Sequence, residues 1–332
     1  MPPDIWKGDM LTDDFGRRFY YLRLSITDVC NFRCEYCLPD GYQCDSDRQF
    51  LSLSEIKRTA NAFSLMGTEK IRITGGEPSL RKDLPEIIQT VAQTPNINTV
   101  ALTTNGYKIT TQCQDWLDAG LNALNISIDS LIPEQFNLIT GANKLDEILK
   151  GIDMVLADGR AKLKVNAVLL KQYHKRQLDY FFDWVKETPV SVRFIELMET
   201  GDNKAYFDKQ HVSGTTIQNQ LFERGWVPII KEKSAGPAIE YCHPDYQGKI
   251  GLIMPYSKDF CASCNRLRMS ALGKLHLCLF ADQGLSLREY LQQDDPTELV
   301  NAVSRLIHDK KATHFLHDRL TGATSHLSML GG

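Results

Sequence analysis

The sequence predicts an α/β protein. Residues 20–200 read as a curved, partly open (β/α)6 TIM-like barrel, and 201–332 as a smaller β-hairpin-rich and helical region. Three observations carry this. Six short apolar runs of strand length alternate with five amphipathic helical patterns. Loops rich in Cys, Gly, Ser and Thr follow the strands. Beyond Glu196 the alternation stops, and short β-like runs broken by Gly and Pro take over, which reads as a region covering one opening of the barrel.

Residues 1–19 are polar and are expected to form a peripheral lead-in. Strand-like runs fall at 21–26, 71–74, 99–103, 123–128, 163–169 and 192–196. Ser52 and Glu55 have capping-box spacing ahead of Ile56, Ala60 and Phe63. Leu84, Ile87, Ile88 and Val91 mark a second helix. Cys113, Trp116 and Leu117 mark a third, stopped by Gly120. Leu145 to Val155 and Leu178 to Val185 supply the fourth and fifth. Such alternation implies right-handed βαβ units and a parallel sheet, in which ligands bind at the C-terminal strand ends. Six strands are too few to close an eight-stranded barrel; a doubly wound sheet is the alternative.

At 332 residues, with 42% hydrophobic and 24% charged content, this is an ordinary globular composition. A net charge of −3 argues against a general nucleic-acid binder. No apolar run reaches the length of a membrane span, and the start shows no secretory pattern. Six of the nine cysteines fall in two tight groups, which reads as metal ligation in a cytoplasmic protein rather than as disulfides.

The first group is Cys30-x3-Cys34-x2-Cys37, just after the first strand. Four-cysteine clusters use one more close thiolate, and structural zinc takes four ligands. Three thiolates on a 4Fe–4S cube leave one iron open. Gly75-Gly76-Glu77-Pro78 follows the second strand; alone it is a tight βα turn. Thr103 and Ser127 end the third and fourth strands, where hydroxyls ordinarily cap helices. Arg23, Lys70, Arg72, Lys164 and Arg193 stand among apolar strand residues. Period-two alternation can turn all five into the barrel, where cations need an anion such as a triphosphate. Facing solvent between helices is the plainer reading.

The second group is Cys261-x2-Cys264-x13-Cys278. A zinc site would need a fourth ligand from Cys242, His243 or His276; a second three-thiolate cluster is the alternative. Arg266 and Arg268 beside it point the same way if extended. Cys44, Cys113 and Cys242 receive no role, and Cys113 reads as a buried apolar residue.

The Cys-x3-Cys-x2-Cys loop, with Tyr36 before its last cysteine and the Gly-Gly-Glu-Pro turn, resembles the radical S-adenosylmethionine (SAM) enzymes. Both cysteine groups, Lys164-Val165-Asn166 and the final Gly-Gly resemble the GTP 3′,8-cyclase family of molybdenum-cofactor biosynthesis, from about residue 20 onward. That resemblance implies a radical SAM lyase with two 4Fe–4S clusters, on Cys30, Cys34 and Cys37 and on Cys261, Cys264 and Cys278. It implies SAM contacts from Tyr36, Gly76, Ser127 and Met198. It implies GTP contacts from Arg23, Arg72, Thr103, Lys164, Arg266, Leu267 and Arg268, with Lys70 and Arg193 added by their strand positions. Arg266, Arg268, Gly331 and Gly332 would serve catalysis, the last two as a tail entering the site rather than a frayed terminus. The reaction implied is removal of the ribose 3′ hydrogen of GTP and closure of C3′ onto C8, the guanine being held by the second cluster's open iron. Partners implied are an electron-donor protein and the cyclic pyranopterin monophosphate synthase that takes the product; a homodimer is compatible. Two other classes compete: a peptide-modifying radical SAM enzyme with four-thiolate auxiliary clusters, and a zinc-stabilised binding module.

Overall fold

The computed structural model describes residues 10–43, 48–230 and 235–331. Its sheet carries twelve strands in the order β12-β11-β10-β1-β2-β3-β4-β5-β6-β9-β8-β7. The six strands expected from sequence form its middle: β1 (Tyr21–Ser25), β2 (Lys70–Thr74), β3 (Thr99–Thr104), β4 (Ala123–Ser127), β5 (Lys162–Leu169) and β6 (Ser191–Glu196). All pair in parallel with their sequence neighbours. The edges β12 and β7 do not meet, so the barrel is open.

Helices α1 (Leu53–Leu65), α2 (Leu84–Ala92), α3 (Ile109–Asp118), α5 (Leu145–Asp158) and α6 (His174–Glu187) are the five read from periodicity. Ser52 and Glu55 close the expected capping box at α1. Helix α4 (Pro133–Thr140) lacks a side-chain cap and was not foreseen. Outward strand residues such as Leu22, Ile71, Leu102, Leu124 and Val165 join Ile56, Ile87, Trp116, Ile152 and Phe181 in one buried core.

Two expectations need correction. Residues 10–19 are not a peripheral lead-in: Leu11 and Phe19 are buried, and Asp13 and Arg17 form a buried ion pair of 2.6 Å. Arg17 Nη1 also donates to the carbonyls of Cys261 (3.2 Å) and Ala312 (2.9 Å), tying this segment to the second cysteine group. Residues 1–9 of the lead-in, like Cys44, lie outside the described residues.

The C-terminal region, in turn, does more than cover one opening: it extends the barrel sheet on both sides. Its strand β9 (Lys249–Ile253) adds in parallel to β6, and β10 (Arg266–Met269) adds in parallel to β1. Antiparallel partners then finish each edge: β8 (Ile239–Cys242) and β7 (Val227–Pro228) on one side, β11 (Lys274–His276) and β12 (Leu285–Ser286) on the other. Helices α7 (Lys204–Gln210), α8 (Gly214–Glu223) and α9 (Thr297–Leu306) complete the region. A pattern of short strands does not reveal that they extend an existing sheet, because that pairing is long-range.

Candidate functional site

The first cysteine loop is fixed from two sides. Arg33 N donates to Thr140 O (2.9 Å) and Glu35 N to Ile139 O (3.0 Å), so the C-terminus of α4 anchors it. Phe32 stands edge-on to Tyr107 and Phe136, each 6.3 Å away. On the other side, Gly76 N donates to Thr27 O (3.0 Å) and Glu77 N to Val29 O (2.7 Å). A Cβ at Gly76 would lie 2.3 Å from Val29 O. The two glycines therefore let the second strand's exit clamp the cysteine loop, a close approach that any side chain would block. Glu77 is fully buried and accepts from Thr104 Oγ1 (2.6 Å) and Asn105 N (2.6 Å), which locks the turn to β3.

Cys30, Cys34 and Cys37 are half-buried. Burial pushes the Cys30 thiol up to about 11, that of Cys37 to about 12, and that of Cys34 well above its ordinary value. Such thiols become thiolates when a cationic metal group supplies the compensating charge, which suits a cluster site. Tyr36 donates to Asp129 Oδ2 (2.9 Å), whose carboxyl burial raises to about 6; Asp129 also receives Val168 N (2.8 Å). Ser127 ends β4 two residues before that carboxylate.

The barrel strands enclose a cavity of about 580 Å³. All five strand cations, Arg23, Lys70, Arg72, Lys164 and Arg193, line it, joined by Arg266 and Arg268 from β10. Parallel pairing puts them in layers: Arg23 is level with Arg72 and Arg268, and Tyr21 with Lys70 and Arg266. Their alternation is visible in β10, where Leu267 pairs with Leu22 and is buried in the core while the arginines face inward. Any ligand contact of Leu267 would come from its backbone. Among the described lining residues Glu240 is the one carboxylate, and it is engaged by Lys164 at 2.5 Å.

Burial lowers Arg193 and Arg23 to about 10 and Arg268 to about 9, so all three stay charged at neutral pH. Arg193 is 6% exposed, yet its Nε and Nη2 have no hydrogen-bond partner among the described residues. A buried, underpaired cation is costly and waits for an anion. Arg72 donates to Tyr21 Oη (2.5 Å) and to Thr103 Oγ1 (2.9 Å).

Cys261, Cys264 and Cys278 line the same cavity. Burial alone would raise the Cys264 thiol, but Arg266, Lys310 and Arg17 outweigh it and the net shift is downward; burial leaves Cys278 raised. Among the described residues no three His, Cys, Asp or Glu side chains converge as around a single metal ion. Two of the candidate fourth zinc ligands have close neighbours of their own. His243 packs on Trp226 and Tyr246, and Gly284 sits against the His276 ring. Cys113 is buried on α3, as expected.

The tail joins the two triads. Leu327 and Leu330 form a small apolar cluster with Leu279, Phe280 and Leu316; Tyr36, Cys37, Met198 and Cys278 all pack on it. Arg268 Nη1 donates to Leu330 O (3.1 Å) and Gly331 O (3.3 Å), and Arg23 donates to Gly331 O. Gly331 has φ +61°, and a Cβ there would meet Thr74 Oγ1 at 2.2 Å. Gly332 lies outside the described residues.

Sequence reasoning missed Tyr21, Asn125, Asn166 and Glu240 as cavity residues. The first three were within reach: each stands two positions from a residue already assigned inward. Glu240 was not, since only the β8–β9 pairing brings it to Lys164.

Barrel, cysteine loop and glycine turn together define a radical SAM protein. The radical SAM superfamily model matches residues 24–185, and the Molybdenum Cofactor Synthesis C model matches residues 190–316. A crystal structure of Streptococcus suis SuiB bound to S-adenosylmethionine shares the fold, with TM-score 0.63 at 13% identity over 87% of this chain and 68% of that one. The GTP 3′,8-cyclase of Yersinia pestis is 56% identical over 97% of this chain and 99% of its own length. That of Tolumonas auensis is 53% identical over 100% of this chain and 99% of its own. The chain belongs to the GTP 3′,8-cyclase family.

Proposed function

We propose that this chain is a radical SAM GTP 3′,8-cyclase, a lyase that makes (8S)-3′,8-cyclo-7,8-dihydroguanosine 5′-triphosphate from GTP as the first step of molybdenum-cofactor biosynthesis. Curated relatives of that name at 52–56% identity over nearly the whole chain support it. Its cofactors are two 4Fe–4S clusters and SAM. Cys30, Cys34 and Cys37 would hold one cluster, and Cys261, Cys264 and Cys278 the other. The group held by the first triad would supply, when reduced, the electron that cleaves SAM to methionine and a 5′-deoxyadenosyl radical.

The chain's own residues do the rest by placement. Tyr36, Gly76, Ser127 and Met198 are assigned to SAM; Tyr36 is held by Asp129, and Gly76 keeps the turn against the cysteine loop. Arg23, Lys70, Arg72, Thr103, Lys164, Arg193, Arg266 and Arg268 are assigned to GTP, with Leu267 through its backbone. Seven of them bring positive charge to the cavity, which suits a triphosphate. The guanine edge is assigned to the second triad. Leu327 and Leu330 cover the space between triads and keep water from it. Holding C3′ against C8 is an orientation task of the kind worth about 7–11 kcal/mol.

The observation that carries the reading is the cationic cavity opening directly onto the second cysteine triad. It disfavours a peptide substrate, which presents no comparable charge. We further infer an electron-donor protein, transfer of product to the cyclic pyranopterin monophosphate synthase and a cytoplasmic location; a homodimer is compatible with this reading. No helix among the described residues is long and apolar enough to cross a membrane.

Anaerobic incubation with SAM, dithionite and GTP tests the function. Deoxyadenosine formation should depend on GTP, in a protein that binds iron for two clusters. SAM cleavage indifferent to the nucleotide, or a colourless zinc protein, would refute it.

A further inference from the structure

Tyr21 is the acidic group of the cavity that the reading above leaves without a role. It is 3% exposed, and its phenol oxygen accepts from Arg72 Nε at 2.5 Å. Lys70 Nζ lies over its ring, 4.8 Å from the centroid. Arg23, two residues on along the same face of β1, adds a further positive charge beside it. Across β10 it is level with Arg266, with Arg268 one layer along. Every charged group that faces it from β1, β2 and β10 is therefore a cation. Glu240, the single described carboxylate of the cavity, is taken by Lys164 and Ser191 instead.

We propose that Tyr21 is a positioning residue for GTP: its phenolate holds the Arg72 guanidinium in the nucleotide-free enzyme, and releases it to the triphosphate while taking up one proton from solvent. The proposal rests on reading this cavity as the triphosphate site.

The physics runs in one direction. Burial alone would push the phenol up, but Arg72, Arg23 and Lys70 outweigh it and lower it to about 6. A phenolate is thus the form that satisfies the cations at neutral pH. When phosphate oxygens arrive, the same cations are shared with a polyanion. The phenolate then faces like charge, its acidity falls and it protonates. By linkage, uptake of a proton on binding means that affinity falls as pH rises. Lys70, which burial lowers to about 8, adds slope of the same sign. The deciding readout must therefore belong to Tyr21 alone.

The test is anaerobic NMR of the holoenzyme carrying 13C at the oxygen-bearing ring carbon of tyrosine, with and without saturating GTP at pH 7.5. Binding is followed in the same samples, and the chain without Tyr21 is Tyr21→Phe. The expected result is one ionised-phenol resonance in free wild type, absent from the variant, that moves to the neutral position with GTP. The wild-type KM for GTP should also rise between pH 7 and 9, by at most about tenfold per unit, and rise less in Tyr21→Phe. Should that variant fail to fold, replacement by 3-fluorotyrosine, a more acidic phenol, makes the assignment by moving the resonance's midpoint to lower pH. Absence of an ionised resonance, or one unmoved while GTP binds normally, overturns the proposal. If wild type binds no GTP, the triphosphate reading of the cavity falls, and this proposal with it.

Discussion

Arg193 shows what the site asks of single residues. Its guanidinium is buried with two nitrogens unpartnered among the described residues, so the folded protein carries a desolvation cost until an anion binds. Arg193→Met should therefore raise the melting temperature of the nucleotide-free protein while weakening GTP binding. The loss should be roughly ten- to hundredfold, as for a charged hydrogen bond of about 1.5–3 kcal/mol. Calorimetry with GTP beside a thermal melt reads both; a variant less stable than wild type contradicts the account. Arg266→Ala and Arg268→Ala should cripple cyclisation with iron content unchanged, checked by product yield against iron analysis.

At the scale of elements, the tail segment and helix α1 carry the consequences. A methyl group at Gly331 would collide with Thr74 and unseat the carbonyls that Arg23 and Arg268 hold. Gly331→Ala should thus lower cyclisation sharply while SAM is still cleaved, seen as deoxyadenosine formed without cyclised product. Helix α1 is pinned through Glu55, which closes the capping box and receives Arg288 Nε (3.0 Å) and Gln292 Nε2 (3.1 Å). Burial alone would raise this carboxyl; Ser52, Arg288 and Gln292 bring it below its ordinary value of 4.5. A lowered carboxyl stabilises the fold above the unfolded value, and that contribution disappears as pH falls through the folded one. Glu55→Gln should accordingly destabilise at pH 7, with the gap from wild type closing in acid. Urea midpoints across pH check it.

For the whole molecule, the cations lining the cavity make nucleotide binding and stability one problem. GTP should stabilise the cluster-loaded protein by about 2.7 kcal/mol at a hundredfold excess over its dissociation constant. The shift should shrink with added salt, because facing charges are screened. Thermal melts at two ionic strengths measure this.

Much of this was legible in the chain. Strand and helix patterns, both cysteine triads, the glycine turn and the strand cations follow from spacing and period-two alternation, which are local properties of a sequence. Helix α4 escaped because an eight-residue helix whose buried apolar side chains are Phe136 and Ile139 leaves little periodic signal. Burial of residues 10–19 escaped because their partners, such as Cys261 and Ala312, are more than 200 positions away.

The sequence by itself determined which residues carry charge and sulfur, and which of them share one face of a strand. Only the tertiary structure decided that β9 and β10 extend the barrel sheet at both sides. That pairing brings the second triad, Glu240 and the tail's carbonyls to cations on strands far away in the chain. The physical reason is that strand pairing is settled by which backbone edges and apolar faces remain unsatisfied once the rest has folded, and no local pattern records that.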